Sequence, residues 1–157
     1  LVIHTATVTI NAAVAPLSVA SYQPVDPPHN TAQQWATAAW IVESAFPTRS
    51  SRGTSYIYGH ACNYHVCPFT NLKDTKVGDR VQITTSTGSV TYQIDRIGLS
   101  SKAAKSLPAW ASDSTVPGRL VLVTCSHEYG DWGLDNIVVT AHLAASAPTR
   151  FENVSIH

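Results

Sequence analysis

The 157-residue chain has the size of one folding unit, and its ten Lys and Arg balance ten Asp and Glu, so there is no basic field to hold a nucleic acid or an anionic membrane surface. Only 13% of the residues are charged, against roughly 25% in average soluble domains, and Thr, Ser and Ala fill the difference. No apolar run reaches the roughly 18 residues that span a bilayer, and the first residues lack the order of a signal peptide; a chain that opens at Leu1 is expected to be a fragment whose anchor or signal lies in the missing part.

Along the chain the signal is mostly strand. In "IHTATVTINAAV", Ile3, Thr5, Thr7 and Thr9 alternate with His4, Ala6, Val8 and Ile10, the pattern of one half-buried strand. "SVASYQPVDPPHN" carries prolines at 24, 27 and 28, which predict an extended surface connection. "TAQQWATAAWIVES" spaces Trp35, Ala38, Ala39 and Val42 at helical intervals, yet "WIVESAF" reads equally as a strand, so periodicity leaves this element open. "TSYIYGH" predicts a short strand ending at Gly59-His60. The clearest hairpin follows: Val81 and Ile83, then Val90, Tyr92 and Ile94, alternate around "TSTGS", whose Gly88 suits the turn. "SSKAAKSLPAWASDSTVPGR" reads as a polar loop with one short helix near Ala103, and "LVLVTC" and "NIVVTAHLA" are two more strands around "SHEYGDWGLD". Many short strands with one or two short helices predict an all-β barrel or sandwich, one domain over residues 1–157, with no internal repeat.

Three cysteines carry the chemistry. Cys62 and Cys67 lie close together in "HACNYHVC", and in an oxidising compartment they can close a six-residue loop, which the chain-entropy model values at about 2 kcal/mol. Two alternatives remain open: all three cysteines are reduced, or His60, Cys62, His65 and Cys67 hold zinc, although four ligands from one short segment crowd the ion. Pairing the near cysteines leaves Cys125 at the end of the apolar run "LVLVTC". A lone cysteine there is either a small core residue or a nucleophile, which needs a partner such as histidine to lower or use its pKa. His60 closes another strand, so Cys125 and His60 can meet at one mouth of a barrel.

Those residues resemble the sortase family. "LVLVTC" is similar to the sortase strand that ends Thr-Leu-x-Thr-Cys, with Val121-Leu122 in place of the leading pair. "GTSYIYGHA" resembles the sortase strand ending in Gly-His, and "PFTNLKDTKVGDRVQITTSTGSVTYQIDRI" resembles the segment that follows, with Phe-x-x-Leu, then Val-Gly-Asp, then a hairpin. The leader "VTINAAVAPL…PVDPPHNTAQQW" resembles the opening strand and proline-rich loop of class E-like, actinobacterial sortases, so the likeness runs from about residue 5 to residue 145. A papain-like reading fails, because that family's cysteine motif is absent and its histidine follows the cysteine.

The resemblance implies a closed β-barrel of about eight strands with the active site at the strand ends. It implies a cell-surface, membrane-anchored transpeptidase that cleaves a Leu-Pro-x-Thr-Gly or Leu-Ala-x-Thr-Gly sorting signal after the threonine. Cys125 would attack the threonine carbonyl and form a thioacyl enzyme, and His60 would protonate the leaving amine. An amine of a cell-wall precursor, or a pilin lysine, would resolve the thioester. Thr124 would contact substrate or shape the oxyanion site. Leu107, Pro108, Ala109 and Trp110, in the loop 99–118, would form an apolar substrate wall, unless Trp110 caps the barrel. One departure stands out: where the family carries an arginine after the cysteine strand, alignment of "NIVVTAHL" places Asn136. Either Asn136 donates into the oxyanion site, or Arg49, Arg52 or Arg119 reaches in, or turnover is weak. A shift of the loop "SHEYGDWGLD" would give His127 or Asn136 other roles. No acidic cluster suggests calcium, so no cofactor and no metal are expected, and the protein is expected to be a monomer.

Overall fold

Alternating branched and polar residues fold the chain into nine strands in a computed structural model that describes residues 1–4, 8–19, 25–126 and 133–145. The strands are β1 (Val2–His4), β2 (Thr9–Asn11), β3 (Ala13–Leu17), β4 (Thr37–Ile41), β5 (Thr54–Tyr58), β6 (Arg80–Thr85), β7 (Gly88–Ser101), β8 (Arg119–Cys125) and β9 (Asp135–Leu143). Among the described residues, two one-turn helices, α1 (Ala32–Trp35) and α2 (Ala109–Ser112), and 3₁₀ turns at Leu72–Asp74 and Lys102–Ala104 complete the regular structure.

The sheet order is β2-β1-β6-β7-β9-β8-β5-β4-β3. Because β2 and β3 flank Ala12 as one segment, the two ends of that order belong to the same stretch of chain, and the sheet rolls into a nearly closed barrel. Leu1 and Ala12 exchange two hydrogen bonds of 2.9 Å at this seam. The expected all-β barrel is therefore the observed fold.

Period-2 alternation separates two cores. Leu120 and Leu122 of β8 point with Ile57, Phe69, Tyr92 and Val139 into the barrel interior, whereas Val121 and Val123 join Tyr56 and Val138 in a second cluster on the outer face. That outer face is covered by Ala111 and Trp110 of α2, by Leu107 and by Val25. Arg119 holds α2 there, donating from its guanidinium to the Trp110, Ala111 and Asp113 carbonyls. Since Cys125 continues the Val121–Val123 parity, it belongs to the outer face.

Three elements differ from the sequence reading. The first expected strand is two, β1 and β2, paired antiparallel with Ile3 opposite Ile10; both isoleucines are buried, which one continuous strand could not bring together. Residues 5–7 lie outside the described residues. The undecided stretch contains both alternatives: α1, started by a capping box in which Thr31 accepts from the Gln34 amide, and then β4. The stretch taken as a loop from Leu99 begins as strand, because β7 runs on to Ser101 beside β9 with a bulge between Ile94 and Arg96.

Gly59 couples this core to the end of β5. A Cβ there would sit 2.6–3.0 Å from three atoms of the Phe69 ring, which is wholly buried. Gly59→Ala is expected to cost about 1–3 kcal/mol through overpacking, read as a lower denaturation midpoint with unchanged m-value. Wild-type stability in that variant would mean the ring yields freely.

Candidate active site

Strand register builds the site. β5 and β8 run parallel, with Thr54 opposite Arg119 and Tyr58 opposite Val123, and the pairing continues as the Gly59 amide donates to the Val123 carbonyl at 3.0 Å. Extended one residue beyond Gly59, this register would bring His60, which follows the end of β5, alongside Cys125. On the other side of β8, β9 pairs antiparallel and places Asn136 directly opposite Cys125. The neighbouring Ser126 amide donates to the Asp135 carbonyl at 3.0 Å, so Cys125 and Asn136 form the closely spaced, non-hydrogen-bonded kind of pair, with Cα atoms about 4.5 Å apart. The result is a row: Asn136 on β9, Cys125 at the end of β8, and His60 just beyond the end of β5.

This row lines a cavity of about 260 Å³ with Thr124, Leu107, Tyr58 and the segment Val25–Pro27. Cys125 is partly exposed and is the free cysteine. Burial pushes the Tyr58 phenol up to about 12, with Tyr56 adding to the effect, so Tyr58 stays neutral and supplies no base. Thr124 is 3% exposed, and its hydroxyl is buried without a hydrogen-bond partner.

His60, 8% exposed, is held on several sides. Its Nε2 lies 2.9 Å from the Pro27 carbonyl oxygen; a carbonyl only accepts, so Nε2 carries the hydrogen and donates. The Trp35 ring packs 4.7 Å from the imidazole, and His29 meets it edge-on at 5.5 Å. Trp35 in turn stacks on His65 at 4.9 Å.

His65 belongs to the loop closed by the Cys62–Cys67 disulfide, whose Cα atoms are 5.7 Å apart. With both sulfurs in that bond, His60, Cys62, His65 and Cys67 do not form a zinc site. The Thr70 hydroxyl ties the loop down, accepting from the Cys62 amide at 3.2 Å. Cys62→Ser is expected to lower the melting temperature by several degrees, reflecting about 2 kcal/mol of loop closure, and to leave Cys125 open to alkylation. An unchanged melting temperature would mean that the bond constrains nothing that Thr70 does not.

Not every residue expected at the site lines it. Leu107 does, but Pro108, Ala109 and Trp110 do not. Pro108 precedes α2 as its N-cap, and Trp110 lies over β7, where a Cβ on Gly98 would come 2.9 Å from its ring and the Arg96 guanidinium stacks 4.3 Å from its centroid. Trp110 thus covers the barrel wall. The three arginines lie elsewhere. Arg119 begins β8, six residues and about 20 Å from Cys125, and also donates to Thr54. Arg52 precedes β5, at the end away from His60, and Arg49 lines a separate groove beside the Thr85–Val90 turn. His127 and most of "SHEYGDWGLD" lie outside the described residues.

Lys102 and Lys105 line the cavity and were not anticipated, nor was the segment Val25–Pro27. The lysines sat in what reads as a polar loop, and the prolines signalled extension without saying what they extend across. Lys105 adopts a left-handed backbone, φ 52°, which ends the 3₁₀ turn and keeps it at the cavity.

The same fold occurs in known proteins. The model of the sortase domain matches residues 8–144. Among solved structures, a Clostridium perfringens sortase D5 transpeptidase superposes with a TM-score of 0.64 at 21% identity, covering 92% of this chain and 78% of that one. A lid mutant of sortase A from Corynebacterium diphtheriae gives 0.66 at 19% identity, covering 95% and 72%. A lid mutant of Streptococcus agalactiae sortase C1 gives 0.68 at 14% identity, covering 94% and 70%. No curated protein matches the chain in sequence. With the domain match spanning nearly all strands of a barrel shared with these structures, the chain belongs to the sortase family of transpeptidases.

Proposed function

We propose that this protein is a cell-surface cysteine transpeptidase that cleaves a Leu-Pro-x-Thr-Gly or Leu-Ala-x-Thr-Gly sorting signal after the threonine and transfers the new terminus to an amine of the cell wall or a pilin. The observation that carries this reading is the row Asn136, Cys125, His60 along one rim of the cavity. The Cys125 sulfur attacks the threonine carbonyl, and the oxygen becomes an oxyanion. Collapse breaks the C–N bond as the glycine nitrogen takes a proton from His60, leaving a thioester on Cys125. An incoming amine then attacks the thioester and returns its proton to His60, while the sulfur leaves. With Nε2 donating to Pro27, Nδ1 is the nitrogen free for this exchange.

Asn136 stands opposite Cys125 on β9 and lines the same cavity, which supports its amide as the oxyanion donor, and Lys102 and Lys105 are the cations lining that cavity. Asn136→Ala is expected to lower kcat by about 10²–10³ with little change in KM, measured by peptide cleavage; an equal kcat would remove Asn136 from the oxyanion site. A second reading is favoured by the placement of the arginines away from the cavity: a module of this fold that binds sorting-signal peptides with little turnover. Intact-mass spectrometry after incubation with each peptide, followed by an added amine, separates the two. An acyl adduct on Cys125 that the amine releases supports the transpeptidase and selects the signal, whereas binding without adduct supports the module. Both readings place the protein at a membrane-anchored cell surface, acting as a monomer without a cofactor.

A further inference from the structure

His60 has neighbours that proton transfer does not require. Asp26, His29 and His60 each offer one ligand atom, and these atoms all lie within 4.8 Å of one another. His29 Nδ1 is 3.7 Å from Asp26 Oδ2 and 3.2 Å from the Pro27 carbonyl oxygen, the same oxygen that His60 Nε2 approaches at 2.9 Å. Two imidazoles from separate parts of the chain therefore flank one carbonyl oxygen, with a carboxylate beside them.

We propose that Asp26, His29 and His60 bind a divalent transition-metal ion of the zinc type, and that the ion inhibits the enzyme by occupying His60. Two imidazoles and one carboxylate suit such an ion, with water in the fourth position. Ligand atoms on a tetrahedral ion lie about 3.3 Å apart, so the site closes by small rotations. The side chains that must rotate are those with freedom: Asp26 and His29 are 66% and 45% exposed, while His60 is packed against Trp35. Pro27 and Pro28 stand between Asp26 and His29 and restrict the backbone that presents them.

Inhibition follows from the chemistry of imidazole. To protonate a leaving amine, His60 must carry hydrogen on both nitrogens and release one. A metal ion on one nitrogen takes the place of that second proton, and the single N–H left is far too weak an acid to protonate an amine. No bond is made or broken in substrate, and removal of the ion restores the histidine.

The inhibitory half rests on the transpeptidase reading; the binding half does not. Binding is therefore measured first, by calorimetric titration of Zn2+ and by the visible spectrum of Co2+, on the Cys125→Ala protein kept oxidised, where no thiolate remains to ligate. One equivalent should bind, without a sulfur charge-transfer band, and His29→Ala or Asp26→Asn in the same background should weaken it at least tenfold. Retained affinity in both variants overturns the site. Activity is measured second, with Cys125 intact: Zn2+ should inhibit the wild type reversibly, and His29→Ala, each rate taken relative to its own metal-free turnover, should lose at least tenfold in sensitivity. Inhibition unchanged in His29→Ala would place the inhibitory ion elsewhere and overturn the coupling. Binding in a protein that turns over no peptide would sustain the site and refute the transpeptidase instead.

Discussion

Cys125→Ala is expected to abolish acyl-adduct formation and to lower turnover by a factor on the order of 10⁴–10⁶, the scale seen when a covalent nucleophile is removed. The carbonyl carbon has no other sulfur to meet: Cys125 is the free cysteine, and the other two are bonded to each other. Fold stability should hardly change, since Cys125 is partly exposed at the end of β8 and an alanine preserves the strand. The measurement is intact mass after incubation with sorting-signal peptide, alongside a melting curve. A surviving adduct of the acyl mass would move the nucleophile to another residue and end the present assignment.

His60→Gln is expected to lower kcat/KM on an amide peptide by about 10²–10⁴, the usual worth of a positioned acid–base group. Glutamine approximates the volume and can still donate to the Pro27 carbonyl, so packing against Trp35 is largely kept. What it cannot do is release a proton to a departing amine. An ester analogue of the same peptide, whose alkoxide leaves with less help, should therefore lose much less than the amide. Rates on both substrates give the comparison. An equal loss on the two would show that His60 serves only to position Cys125.

How much of this was legible depended on whether the information was local. The hairpin of β6 and β7 reads directly because its alternation and the Gly88 turn lie within about twenty residues. The β1–β2 hairpin does not, since Thr5, Ala6 and Thr7 carry none of the Gly, Pro or Asn that announce a turn and simply continue the alternation. Helix α1 is four residues long, too short for a 3.6-residue period to separate it from β4. Cys125 and His60 were visible as strand ends and through the family resemblance. Their meeting at one mouth of the barrel was expected from the same signals, but the strand pairing behind it is a parallel register between residues sixty-five apart, which no local pattern carries. Equally, the placement of Trp110 away from the cavity depends on Gly98, which clears room for an indole on β7 in a way no pattern around Trp110 reveals.

The seam at Ala12 has a further consequence. Because one stretch supplies both β2 and β3, the barrel is fastened by a single clasp. Trimming the chain through Leu17 would not yield a smaller barrel: it would strip the partners of β6 and β4 together, leaving two bare edges, each a template for pairing with another chain. A copy that lent its clasp to a neighbour and borrowed one in return would cover all four edges again, so the same seam marks the segment that an exchange between two such barrels would have to pass.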